Sequence, residues 1–372
     1  MKLLLPLLLL FPALLFAQPV PPPDVAAQSF LLYDFSSGQV LASRNADQRS
    51  EPASLTKLMT AYLAFAALKR KDLQLDQTLR VTEHARGAAG ARMFLDPQKP
   101  ATVDEMLHGM IVQYGNDAAV ALAEGAAGSE DQFVRLMNKE ARRLGMNNSH
   151  FTNVTGLPDA QHYSTAADLA LLAAALVRDF PEFYPMYALK EYNYNNRTQT
   201  NSNLLLWKDP FVDGIQTGHT EAAGFCMIAS ARRGERRLIA VVLGTASEAA
   251  RATEAQKLLN YGFQSYDLIK MYAKDQAVTV LPVWKGGSDE VKAGFTRDFY
   301  VSVPKGEAGR LQARLETRQP LIAPVDAGQP VGTLRLVLNG QPYAESSIVA
   351  LENIGIGNLL KRGWDNLRLM LK

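Results

Sequence analysis

The chain has 372 residues, 47% of them hydrophobic and 20% charged, which is too apolar for a disordered chain and long enough for two domains. Its 39 Lys and Arg face 37 Asp and Glu, so a net charge of +2 gives no sign of a nucleic-acid partner. Cys226 is the only cysteine, which excludes an internal disulfide; five scattered histidines (His84, His108, His150, His162, His219), with neither Cys-x-x-Cys nor His-Glu-x-x-His, offer no metal site and imply no cofactor.

Met1-Lys2 and the apolar run from Leu3 to Ala17 read as a secretory signal, residues 1–17, cleaved after Ala17. A run of about fifteen apolar residues is short for a membrane span. Pro21, Pro22 and Pro23 suit an extended mature N-terminus. The region 24–272 mixes strands and helices. Segments 29–33 and 39–43 flank Ser36-Ser37-Gly38 as a β-hairpin, and 55–68 is a long apolar helix opening just after Pro52-Ala53-Ser54. Further helices are expected at 103–113, 118–126, 132–144 and 166–178. Strands follow at 224–232 and 236–243, joined by Arg233-Gly234-Glu235, then a helix at 253–268. This order predicts an α+β domain, an antiparallel sheet covered by helices. From 273 to 351 short β-rich runs (277–283, 290–295, 299–303, 311–316, 331–337, 346–351) alternate with turns such as Asn339-Gly340, predicting a small all-β domain. In 352–372, Leu359, Leu360, Trp364, Leu367 and Leu371 recur at helical spacing among Lys361, Arg362, Arg368 and Lys372. A basic amphipathic helix of this kind reads as an interfacial membrane anchor. A helix docked on its own β domain is the other reading.

Three short motifs could carry chemistry. A serine hydroxyl needs a base, and in Ser54-Leu55-Thr56-Lys57 a helix places the lysine one turn from the serine. The helix dipole and burial both disfavour the ammonium, fitting Lys57 to act as that base. Ser302-Val303-Pro304-Lys305 has the same spacing, but in a strand-rich region with a proline inside. Tyr114-Gly115-Asn116-Asp117-Ala118 lies between two helices; its phenol and amide could relay a proton and hold a carbonyl, or Asn116 or Asp117 could simply cap a helix. Gln216-Thr217-Gly218-His219-Thr220 offers a hydroxyl beside a glycine, where a substrate backbone can approach a strand.

Together, in this order, the motifs resemble the penicillin-binding proteins of the D-alanyl-D-alanine carboxypeptidase type, whose relatives share Ser-x-x-Lys, Ser-Asp-Asn and Lys-Thr-Gly. The resemblance extends over Glu51-Pro52-Ala53, Asp213-Gly214, the segment from Phe151 to Leu157 and the segment from Ser164 to Asp168. It implies a β-lactamase/transpeptidase-like fold followed by an all-β domain and an amphipathic anchor. The expected activity is removal of the terminal D-alanine from peptidoglycan pentapeptides ending in D-Ala-D-Ala, with β-lactam antibiotics as a second class of ligand. The expected location is the periplasm, on the outer face of the inner membrane. The resemblance further implies Ser54 as nucleophile, Lys57 as base and the backbone N–H groups of Ser54 and His219 as oxyanion donors. Asn116 would hold the substrate amide, and Gln216, Thr217, Gly218 and Arg251 would line the substrate side, with Thr217 and Arg251 on the terminal carboxylate.

Two positions depart from the family pattern. Tyr114 replaces a serine, so a phenol would take over the proton relay. Gln216 replaces a lysine, exchanging a charge-assisted hydrogen bond for a neutral one, a loss of roughly 3- to 30-fold in transition-state binding. An inactive wall-binding homologue, a β-lactamase, or a β domain that is itself the functional module are the alternatives.

Overall fold

The architecture was obtained as a computed structural model describing residues 21–370; the expected signal segment 1–17 and positions 371–372 lie outside them. Five strands, β1 (Ser29–Asp34), β2 (Gln39–Arg44), β3 (Val212–Thr220), β4 (Gly224–Arg233) and β5 (Arg236–Thr245), form one antiparallel sheet in the order β2-β1-β5-β4-β3. Side chains alternate across it as the period of two requires. Along β5, Ile239, Val241 and Leu243 enter one core, and Leu238, Ala240 and Val242 the other. With both faces covered, the central strands are almost wholly apolar.

The larger core holds α1 (Lys57–Arg70), α2 (Val103–Val112), α3 (Asn116–Ala127), α4 (Glu130–Leu144) and α5 (Ala166–Asp179); α6 (Glu248–Ser265) covers the opposite face. Thr102 and Glu105 make a capping box at α2, while Ser129, Thr165 and Ser247 cap α4, α5 and α6. In contrast α3 starts on Gly115 with no side-chain cap, so Asn116 is the first residue inside the helix and its amide is free for other partners.

The expected helix at 253–268 is corrected at both ends. It begins at Glu248, and Tyr266–Tyr272 is a strand, β6, paired with β9 (Phe299–Pro304). Ladder bonds to β9 outweigh the local helical pattern there. The other strands of the second domain are β7 (Ala277–Trp284), β8 (Glu290–Gly294), β10 (Leu311–Thr317), β11 (Leu321–Ile322), β12 (Pro330–Leu338) and β13 (Gln341–Ala350). They form a second sheet in the order β10-β12-β13-β8-β7-β11 around a core of their own. Residues 352–357 still belong to this domain through the bridges Val325↔Ile354 and Gly286↔Ile356.

A buried polar node joins the domains. Ser302 on β9 is 0% exposed; its hydroxyl donates to Asp34 Oδ2 (2.6 Å), which also accepts from Arg236 Nε (2.8 Å). Gln39 bonds both the N–H (2.7 Å) and the carbonyl (3.2 Å) of Ser302. The last helix, α7 (Leu359–Met370), docks on the β domain by its polar side. Asp365 accepts from Lys285 N (2.7 Å), Lys361 pairs with Asp289, and Arg368 lies over Trp284. Its apolar side faces outward, with Leu359, Leu360 and Met370 81, 87 and 84% exposed. No helix among the described residues is long and apolar enough to cross a membrane.

Candidate active site

The site starts where the chain enters α1. Ala53–Thr56 form a single 3-10 turn leading directly into the helix, so Ser54 precedes α1 rather than lying within it. Ala53 holds a left-handed φ of 48°, a strained conformation of the kind that clusters at functional sites. Lys57, 1% exposed, donates from Nζ to Ser54 Oγ (3.1 Å) and to the Thr155 carbonyl (2.8 Å). Burial lowers its pKa from 10.5 to about 7, with Asp117 opposing the shift. Near neutral pH the lysine is therefore able to be a free amine beside a serine hydroxyl, the state a general base requires.

Thr155 sits on a loop built to reach this point. Asn153 Oδ1 accepts from the N–H groups of Thr155, Gly156 and Leu157, and Thr60 Oγ1 ties the loop to α1 through the Val154 carbonyl. Gly156 has φ +83°, and a Cβ there would lie 1.7 Å from the Ala53 carbonyl oxygen. Only glycine permits that approach. His162 locks the other side: Thr152 N donates to Nδ1, which leaves the Nε2 proton to face Thr56 Oγ1 (2.8 Å). Burial lowers its pKa to about 4, keeping it neutral.

Asn116 and Tyr114 come in from the α2–α3 junction. Asn116 donates from Nδ2 to the Ala89 carbonyl, and its buried Oδ1 has no protein partner. Asp117 holds the facing loop by accepting from Met93 N (2.9 Å) and Leu95 N (3.0 Å). Tyr114 has a left-handed φ of 58° and a buried ring whose hydroxyl donates to Asn201 Oδ1 (3.0 Å). The expected relay geometry is therefore not what is observed: the phenol is bonded to neither Ser54 nor Lys57.

The third wall is β3, an edge strand. Gly218 lets it pass the nucleophile, since a Cβ there would lie 3.0 Å from Ser54 N and 3.2 Å from Leu55 N. Thr217 is buried, and the exposed His219 stacks on Phe225 at 4.0 Å. Gln216 is 1% exposed, and its Nε2 has no protein partner. Arg251 reaches β3 from α6, donating to the Gly218 carbonyl (3.3 Å) and the Ser202 carbonyl (3.5 Å) and pairing with Glu248 (3.1 Å). Burial lowers its pKa.

Ser54, Lys57, Gln216, Thr217, Gly218, His219 and Arg251 thus come from three separate stretches and meet around one edge, with Asn116 placed at the α2–α3 junction. His162 and the Asn201-Ser202-Asn203 loop were not singled out by sequence, and Thr155 and Gly156 entered only as part of the segment from Phe151 to Leu157, with no role assigned to them. The Asn201-Ser202-Asn203 loop carried a usable signal, two amides bracketing a serine just before an apolar run, which marks a side-chain-stabilised turn.

A helix-covered antiparallel sheet with a serine–lysine pair against its edge strand, followed by a β domain, defines the class of penicillin-binding serine peptidases. The family model for D-alanyl-D-alanine carboxypeptidase matches residues 17–247, that for the penicillin-binding protein 5 C-terminal domain matches residues 266–355, and the chain belongs to this family. It is 39% identical over 370 residues to D-alanyl-D-alanine carboxypeptidase DacC of Escherichia coli, covering 96% of this chain and 92% of that one. Penicillin-binding protein 5 of Haemophilus influenzae superposes with a TM-score of 0.85 at 37% identity, over 90% of this chain and 99% of that one. Penicillin-binding protein D2 of Listeria monocytogenes, solved in an ampicillin-bound form, matches 66% of this chain and all of its own with a TM-score of 0.61 at 30% identity.

Proposed function

We propose that this chain is a serine-type D-Ala-D-Ala carboxypeptidase that removes the terminal D-alanine from peptidoglycan pentapeptides, and that penicillins acylate the same serine. The observation that carries this reading is the buried Lys57 amine, 3.1 Å from Ser54 Oγ with its pKa lowered to about 7. Lys57 takes the Ser54 proton as Oγ attacks the penultimate D-alanine carbonyl. The ammonium then returns that proton to the leaving D-alanine nitrogen, and water hydrolyses the acyl-enzyme. Backbone N–H groups of Ser54 and His219 hold the oxyanion, a contribution of roughly 3–4 kcal/mol per donor in comparable sites.

Two orphaned atoms of opposite character support the substrate assignment. Asn116 Oδ1 can accept a substrate amide N–H, and Gln216 Nε2 can donate to a substrate oxygen. A buried polar atom without a partner costs about 1–3 kcal/mol, so a ligand that satisfies both gains on binding. Thr217 and Arg251 serve the terminal carboxylate.

The protein is exported and rests on the outer face of the cytoplasmic membrane. The Met1–Ala17 pattern supports export. The outward apolar side of α7 supports interfacial attachment, with its polar side already occupied by the β domain. The test is fluorescent-penicillin labelling of the purified protein, followed by D-alanine release from a D-Ala-D-Ala peptide. Labelling at Ser54 with release is expected. Labelling without release would point to a binding role, and no labelling of folded protein would mean that Tyr114 and Gln216 have disabled the site.

A further inference from the structure

Phe94 is held in a conformation that its neighbours impose. Met93 and Leu95 are buried, and their N–H groups donate to the two carboxylate oxygens of Asp117 at 2.9 and 3.0 Å. The residue between them is pushed outward with a left-handed φ of 67°, and its ring is 43% exposed. A bulky side chain in that region is strained, and the strain persists because both flanking groups are fixed. The same loop is tied to Asn116, whose N–H donates to the Ala91 carbonyl (2.7 Å) and whose Nδ2 donates to that of Ala89.

Two guanidinium groups lie over the Phe94 ring, Arg92 at 5.5 Å and Arg197 at 4.4 Å from its centroid. Arg197 comes from the hairpin of Glu191–Tyr194 and Arg197–Thr200, and Gln199 of that hairpin reaches the Arg92 carbonyl (3.4 Å). Both arginines are exposed, and among the described residues neither pairs with a carboxylate. The acid of this loop, Asp96, is turned to its own main chain and accepts from Gln98 N (2.9 Å). An aromatic face that carries two unpaired guanidinium forks suits a carboxylate, because each fork can donate two parallel N–H bonds to it.

We propose that Phe94, Arg92 and Arg197 form a subsite for a carboxylate side chain of the substrate peptide, on the amino-terminal side of the scissile bond. This inference rests on the carboxypeptidase reading above. In that reading the terminal carboxylate lies toward Thr217 and Arg251, and Asn116 Oδ1 accepts an amide N–H of the same peptide. A chain held at those two points runs from the β3 wall past Asn116. The loop bonded to Asn116 is the next surface that its amino-terminal part meets, and the charge waiting there is positive. The ligand that completes the platform is therefore an acidic peptide; a neutral one leaves both cations without a partner.

The test uses paired synthetic peptides ending in D-Ala-D-Ala, each pair differing only in a glutamate or a glutamine placed one, two or three residues before the terminal pair. D-alanine release is measured with the full chain. Exposed ion pairs contribute modestly, so at the best position kcat/KM for the glutamate peptide should exceed that for the glutamine peptide about threefold to tenfold, through KM. Raising the salt concentration should shrink the ratio toward one. In the double variant Arg92→Gln, Arg197→Gln the ratio should fall to within about twofold of one, and Arg197→Glu should invert it. A parent ratio of one at all three positions, or a preference that survives the double variant, would overturn the proposal. So would an equal loss on both peptides of a pair, the signature of arginines that merely brace the loop. Calorimetric binding of the same peptides to Ser54→Ala gives the ratio without any turnover. A parent that labels with penicillin yet releases no D-alanine sinks the carboxypeptidase reading alone. A calorimetric preference for glutamate that the arginine substitutions remove would still uphold the subsite, and its absence would not.

Discussion

Ser54-Leu55-Thr56-Lys57 and Ser302-Val303-Pro304-Lys305 share one spacing in two different domains. On a helical turn, positions three apart lie on one face, and Lys57 Nζ meets Ser54 Oγ at 3.1 Å. On a strand, positions three apart point to opposite faces. Ser302 is accordingly buried against Asp34, while Lys305 follows the end of β9 and is exposed. The same four-residue pattern thus yields a hydrogen-bonded serine–lysine pair in one region and an interdomain fastener in the other. Backbone conformation, rather than residue identity, separates the two.

The comparison can be broken in several ways. The largest effect is expected for Ser54→Ala, which should cut D-alanine release by roughly 10⁴-fold or more and abolish labelling. Ser302→Ala should leave kcat/KM within about threefold of the parent, since it touches no reacting group. Release that survives Ser54→Ala, or disappears with Ser302→Ala, would reverse the assignment of the two serines. Next comes Lys57→Met, with a loss of about 10²- to 10⁴-fold in kcat, against no measurable change for Lys305→Met.

The pH dependence sharpens the same contrast. In the proposed mechanism Lys57 works as the free amine, so kcat/KM should rise with pH up to about 7 and then level. Below that point it should fall about tenfold per pH unit. A profile flat from pH 5 to 8 would remove the lysine from the proton transfer. Gln216→Lys restores a cation beside the pair and should raise kcat/KM roughly 3- to 30-fold; a decrease would show that the neutral side chain is the better fit. The smallest effect falls on the second serine's own task. Losing the Ser302 hydroxyl from the buried node should cost about 1–3 kcal/mol in urea unfolding, and an unchanged midpoint would mean that the node does not hold the domains.

Much of this was legible in the sequence because it depended on local pattern. The apolar helix after Pro52-Ala53-Ser54, the hairpin around Ser36-Ser37-Gly38 and the strand-rich second domain follow from periodicity and turn residues. What stayed hidden depends on the main chain or on distant partners. The Thr155 carbonyl that holds Lys57 could have come from any residue type, so no side-chain pattern announces it. The start of the β6 strand, residues 266–268, reads as a continuation of α6 until its partner strand β9 is known. Tyr114 reads as a relay from its position in the motif, and only its bond to Asn201 shows the phenol directed elsewhere.

The docking of α7 has one more consequence. Asp365, Lys361 and Arg368 bind the β domain from one side of the helix, and Leu359, Leu360, Trp364, Leu367 and Met370 project from the other. The grip on the domain and the proposed grip on a lipid surface therefore fall on separate residues of the same twelve-residue element. Each can drift or be engineered without disturbing the other, so close relatives could sit at different lipid surfaces while keeping an identical catalytic head.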